Sequence, residues 1–139
     1  MNIALIANDS KKELMVQFCI AYCGILAKHN IISTRKTGQL IKDATGIDVE
    51  AVLPGRQGGV QQISARINFN EIDAVIYFHD SNDKYDFNDN MLMRNCDLNN
   101  VPLATNLAAA EILVMAIQRG DLDWRLLLNP MYKKKNRHQ

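Results

Sequence analysis

Two stretches of this chain, Ile3-Ala4-Leu5-Ile6-Ala7 and Ala74-Val75-Ile76-Tyr77-Phe78, are apolar at every position. A strand with one face in water alternates apolar and polar residues, so an unbroken run of this length belongs to a strand covered on both faces, as in a parallel sheet. Parallel neighbours need a crossover between them, ordinarily a helix. The sequence supplies them. After Asn8-Asp9-Ser10, whose polar side chains can cap a helix, the segment Lys11 to Lys28 carries Leu14, Met15, Phe18, Ala21, Tyr22, Ile25 and Leu26 on a helical stripe. Ile31-Ile32-Ser33 reads as a short second strand and Gln39 to Ala44 as a small helix. Val49 to Leu53 is a third strand that leads through glycines into a helix ending near Asn70. A polar loop, Ser81 to Tyr85, comes after the strand at Ala74–Phe78, then a helix containing Met91-Leu92-Met93. Val101 to Ala104 is a last strand, with Thr105-Asn106 capping a helix over Leu107 to Gln118. Alternation of this kind predicts an α/β domain: a doubly wound, mainly parallel five-stranded sheet between two helical layers.

A chain of 139 residues, 47% of them hydrophobic, has enough apolar surface for one core, and we place a single domain over residues 1–129. Residues 130–139 form a basic tail with Lys133, Lys134, Lys135 and Arg137. The rest then holds 12 of the 16 basic residues against 15 acidic ones, so the net charge of +1 gives no reason to expect nucleic acid as a partner. The three cysteines, Cys19, Cys23 and Cys96, are too few and too unevenly spaced for a disulfide framework and fit a reducing compartment. Cys19 and Cys23 share a helical face, but none of His29, His79 and His138 stands at a ligand spacing from them; they read as buried thiols, and no metal is expected. With no signal-like or membrane-length apolar segment, the expected location is cytoplasmic, away from membranes.

In a doubly wound sheet, ligands bind beyond the carboxyl ends of the strands. Those ends carry Asn8-Asp9, Thr34-Arg35-Lys36-Thr37-Gly38, Gly55-Arg56 with Gly58-Gly59, His79-Asp80, and Thr105-Asn106. Glycines and hydroxyls at strand-to-helix corners let backbone amides crowd an anion, and the helix N-terminus adds partial positive charge. Two such corners predict a pocket for a phosphorylated small molecule. Neither a Walker A sequence nor a Gly-x-Gly-x-x-Gly fingerprint is present, which argues against nucleoside triphosphatases and dinucleotide enzymes.

From Asn2 to about Leu128 the chain resembles the methylglyoxal synthase family. The resemblance rests on Ile3-Ala4-Leu5-Ile6-Ala7-x-Asp9-x-x-Lys12, Thr34-x-x-Thr37-Gly38, Ala44-Thr45-Gly46, Gly55-x-x-Gly58-Gly59-x-Gln61-Gln62, Asp80 and Pro102-Leu103-Ala104-Thr105-Asn106. It implies a Rossmann-like fold, a homo-oligomer of hexameric type, and a lyase that eliminates phosphate from dihydroxyacetone phosphate through an enediolate with no cofactor. Related domains bind effectors in larger enzymes. The resemblance assigns phosphate binding to Lys12, Thr34, Thr37, Gly38 and Gly55, places the acids Asp9 and Asp80 in the site, and matches Arg94 to an arginine of a later helix.

The departures fall on the chemistry. The family's Thr-Gly-Thr-Thr-Gly is here Thr34-Arg35-Lys36-Thr37-Gly38. The aspartate that serves the family as general base is Val60, the histidine of the first corner is Asn8, and a His-x-Pro-Asp segment falls on Tyr85-Asp86-Phe87-Asn88. Neither valine nor asparagine accepts a proton near neutral pH, and losing a general base typically costs about two to four orders of magnitude in rate. His79 and Asp80 are neighbours on one strand end, so a regular strand would turn them to opposite faces; His79 by itself reads as a packed or surface histidine. Arg35, Lys36 and Arg56 add cations where the family has glycine, threonine and proline. Fewer proton acceptors and more anion clamps favour a binding protein for a multiply anionic ligand, a nucleotide or bisphosphate, acting as sensor or sequestering protein. The alternative is a working methylglyoxal synthase that uses Asp9 or Asp80 as base.

Overall fold

The computed structural model describes residues 1–128; the basic tail predicted over 130–139 lies outside them. Five strands, β1 (Asn2–Ala7), β2 (Asn30–Thr34), β3 (Val49–Val52), β4 (Ala74–Phe78) and β5 (Leu103–Ala104), form one sheet in the order β3-β2-β1-β4-β5. All four pairings are parallel. The helices are α1 (Lys12–Ala21), α2 (Cys23–Leu26), α3 (Arg35–Thr45), α4 (Gly59–Asn68), α5 (Phe87–Leu98) and α6 (Leu107–Arg119). This is a Rossmann-like doubly wound fold in three layers.

Alternate residues of the apolar strands separate cleanly onto two faces, as strand periodicity requires. Ile3, Leu5, Ile31, Ile76 and Phe78 pack with Met15 and Phe18 of α1, Ile41 of α3 and Val114 of α6. Ala4, Ile6, Ile32, Val75 and Tyr77 face the other way, against Val60, Ile63 and Ile67 of α4 and Leu92 and Cys96 of α5. The sheet order reverses direction between β1 and β4. The chain winds outward from β1 through β2 to β3, then crosses back to β4 and β5, so the crevice of a doubly wound fold opens above β1 and β4.

Several boundaries differ from the sequence-based expectation, among them the last strand, which spans Leu103–Ala104 and not Val101 to Ala104. The single helix predicted from Lys11 to Lys28 is split: a 3-10 turn over Asp9–Lys11 precedes α1, and the helix breaks at Tyr22 before α2. At Tyr22 the backbone leaves helical geometry (φ −110°, ψ 22°), and Gly24, a poor helix former, comes two residues later. The helix predicted from Gln39 begins at Arg35, directly after β2, so Arg35 and Lys36 form the first turn of α3 rather than a loop. The segment after α6 also holds structure that the apolar pattern did not reveal, a 3-10 turn over Asp123–Leu127.

That turn is anchored by Arg125, which is fully buried. Its guanidinium donates to the carbonyls of Asn99, Asn100 and Ile72, and its Nε lies 3.7 Å from Asp73 Oδ1. The other oxygen of Asp73 accepts from the backbone N–H of Asn2 at 2.8 Å. A buried charge pair tolerates loss of neither partner, so this pair clamps the last described turn beneath the amino ends of β1 and β4.

Candidate functional site

The first wall of the site is the end of β2. Thr34 caps α3 without a side-chain hydrogen bond, leaving the first amides of α3 free of any side-chain acceptor. Thr37, in that first turn, is fully buried, and its hydroxyl has no hydrogen-bond partner. An orphaned hydroxyl beside uncapped helix amides is the arrangement an oxyanion satisfies. Gly38 comes next because its Cα approaches β3: a Cβ there would lie 3.1 Å from the Val49 side chain.

The second wall is the glycine corner. Gly55–Gln57 make one 3-10 turn, Gly58 takes a left-handed conformation (φ 103°), and α4 begins at Gly59. A Cβ at Gly59 would sit 2.1 Å from the Leu53 carbonyl oxygen, so only glycine lets the chain fold back this tightly. The Gln61-Gln62 pair holds the corner in place: Gln62 accepts from the Leu53 N–H, and Gln61 reaches across to Asn88 at the head of α5. At Gly55 the two walls meet. A Cβ there would touch Thr34 and Val60 at 3.8 and 3.9 Å, so Thr34, Gly55 and Val60 come together.

The third wall is the end of β1. Lys12 lies 2.8 Å from the Ala7 carbonyl oxygen and 3.3 Å from Asp9 Oδ1. Arg56, almost fully exposed, comes within 3.9 Å of the other Asp9 oxygen. The Lys12 ammonium, by contact and by charge, holds the Asp9 carboxyl below the ordinary carboxylate range, and the charges of Lys36 and Arg56 add to this. Lys12 and Arg56 thus stand within ion-pair reach of Asp9, and the Lys36 charge acts on the same carboxyl. Arg35 is exposed in the first turn of α3, and Arg94 is exposed on α5.

The fourth wall is the end of β4. Asn8 is committed twice: its amide donates to the Tyr77 hydroxyl at 3.3 Å, and its oxygen accepts from the Asp80 backbone N–H at 2.7 Å. The Ser10 hydroxyl and the Asn82 amide both donate to Asp80, and in that order they hold its carboxyl low. As the strand period predicts, His79 and Asp80 diverge. Asp80 turns toward Ser10, while His79 lies against Tyr77 and stacks on Tyr85, its ring 3.9 Å away and inclined by 26°. Tyr77 in turn donates to the buried Asp89 at 2.8 Å, and burial raises its phenol well above the usual range. Tyr77 and Asp89 are site neighbours that the sequence did not single out, although the polar hydroxyl inside an apolar strand was their visible sign.

The strand ends thus bring Thr34 and Gly55 together with the buried Val60, the position expected to hold a base, while Thr37 and Gly38 lie in the first turn of α3 and Lys12 stands at the end of β1 beside Asp9. Residues 15–105 match the family model of the MGS-like domain. The methylglyoxal synthase of Caldicellulosiruptor saccharolyticus is 53% identical over 136 residues, covering 96% of each chain. That of a Thermoanaerobacter species is 52% identical over 127 residues, covering 90% of this chain and 96% of its own. The chain belongs to the methylglyoxal synthase family. The crystal structure of the methylglyoxal synthase from Elizabethkingia anophelis shares the fold, with a TM-score of 0.75 at 35% identity over 81% of this chain and 76% of its own. The residues alone favour a binding protein; these methylglyoxal synthase relatives favour the working lyase. Among the described residues no group of acids, cysteines and histidines could hold a metal, and no helix is long and apolar enough to cross a membrane. Cys19 and Cys96 are buried free thiols, both pushed up to about 12 by burial.

Proposed function

We propose that this chain is a lyase of the methylglyoxal synthase type that converts dihydroxyacetone phosphate into methylglyoxal and inorganic phosphate. We assign the phosphoester half of this reading to an anion seat of Lys12, Thr34, Thr37, Gly38 and Gly55: Thr37 has an orphaned buried hydroxyl beside uncapped helix amides, and the Lys12 ammonium stands at the end of the neighbouring strand β1. Elimination, rather than binding alone, is supported by near-full-length identity of about half to relatives named methylglyoxal synthase. The proton on the hydroxymethyl carbon has to be taken by a group other than residue 60. Asp9 and Asp80 are the acids at hand, and both are already held by donors, which makes them weak acceptors. We expect turnover about two to four orders of magnitude below that of an enzyme with a well-placed general base. A colorimetric assay for methylglyoxal with purified protein and dihydroxyacetone phosphate tests this, and no product above an enzyme-free control would refute it.

A second reading rests on Val60. With no proton acceptor at that position, and with Arg56 3.9 Å from Asp9 and the Lys36 charge acting on the same carboxyl, the same seat suits a binding protein for a multiply anionic small molecule such as a bisphosphate or nucleotide. Calorimetry separates the two: a binder takes bisphosphates more tightly than dihydroxyacetone phosphate, and Arg56→Ala removes that preference, weakening the bisphosphate by roughly tenfold or more.

A further inference from the structure

We infer that His79 is the group that takes the substrate proton, in place of a carboxylate at residue 60. This rests on the lyase reading above. The inference comes from which acceptors are still free. Asn8 is spent on Tyr77 and on the Asp80 amide, Asp9 on Lys12 and Arg56, and Asp80 on Ser10 and Asn82. His79 stands half-buried at the same rim, its ring fixed against Tyr77 and Tyr85, and neither ring nitrogen has a hydrogen-bond partner among the described residues. An imidazole is the side chain suited to accept a proton at neutral pH.

Placement agrees. Tyr77 packs on the face of the sheet that Val60 covers, and His79, two residues on, stays against Tyr77 on that side. Val60 touches the space around Gly55 and Thr34 at the end of β2. From β2 to β4 there are two strand spacings, roughly 10 Å, a distance that a triose phosphate and one imidazole together span. With the phosphate at Thr34, Thr37 and Lys12, a substrate laid along the strand ends would bring its far end toward His79.

In the step itself the proton leaves the hydroxymethyl carbon for the imidazole, and the C–H electron pair enters the enediolate. The hydroxyl proton passes to the neighbouring oxygen. The carbon–oxygen bond to phosphate then breaks with its electron pair on phosphate, which takes the proton back from the imidazolium. The enol left behind ketonises to methylglyoxal. Tyr85 supports the charged ring by its stacked face, and the other titratable groups about it are Tyr77, Asp80 with Lys11 acting on it, and the acids Asp86 and Asp89 at the head of α5.

The test compares kcat and KM of the parent and His79→Gln over pH 5 to 9, with thermal unfolding of both as a control for folding. A base must be unprotonated, so the parent rate falls as pH drops through the imidazole range. We expect His79→Gln to lower kcat about a hundredfold, leave KM within about threefold, and erase that acidic limb. Equal kcat and an unchanged limb in His79→Gln, with an active parent, would overturn the inference and leave the lyase reading standing. An inactive parent would overturn both. Should His79→Gln fail to fold, proton NMR of the parent decides: phosphoglycolate, whose carboxylate mimics the enediolate charge, should raise the His79 titration midpoint, and an unmoved midpoint would overturn the assignment.

Discussion

Lys12, Asp9 and Thr37 set how tightly an anion is held at the corner. Lys12→Met removes the one ammonium among the proposed anion-seat residues and should weaken inorganic phosphate about ten- to a hundredfold by calorimetry, the range of a charge-assisted contact. Asp9 competes with any anion for that ammonium and for Arg56, so Asp9→Asn should tighten phosphate severalfold. Because the Asp9 and Asp80 carboxyls are held low in the fold, whatever stability they contribute is present above the ordinary carboxylate range and is lost as pH falls below about 4. Asp9 is exposed, so the acid limb of an unfolding profile should flatten only slightly in Asp9→Asn. Val60→Asp places a carboxylate among Thr34, Gly55 and α4. It should raise methylglyoxal formation about tenfold or more, at a cost of about 1–3 kcal/mol for burying a polar group.

At the scale of elements, the sheet was legible because β1 and β4 are uniformly apolar, and β4 is observed at the predicted Ala74–Phe78. The anion corners were legible through glycines whose need is steric, Gly59 above all. Gly59→Ala should lower stability by more than about 1 kcal/mol and loosen phosphate binding, since the added methyl overlaps the Leu53 carbonyl. What the sequence hid depends on contacts between distant residues. Periodicity cannot show that Tyr22 breaks the first helix, that Arg56 comes within reach of Asp9, or that Tyr85 stacks on His79 across a polar loop. It also hid the Arg125 clamp, because a lone arginine near the end of an acidic stretch reads as solvated. Arg125→Ala leaves Asp73 buried and unpaired, and should cost about 3–5 kcal/mol in denaturant unfolding.

The whole molecule exposes apolar residues where a single copy has no use for them. Leu107, Ile112 and Met115 of α6 are exposed, as are Trp124 and Leu127 in the 3-10 turn beyond it. We expect a second copy of this chain to cover this region in a homo-oligomer, up to the hexamer that the family resemblance implies. Light scattering at micromolar concentration should give a multiple of the 15.7 kDa chain mass, and Ile112→Glu should shift it downward; a monomeric parent would refute the expectation. The chemistry belongs to a corner with valine in the place of a base. Its most direct test is simultaneous measurement of methylglyoxal and inorganic phosphate released from dihydroxyacetone phosphate by the purified chain. We expect both products in equal amounts, at a slow rate proportional to protein concentration. Phosphate binding with no release of either product above the enzyme-free control would contradict it.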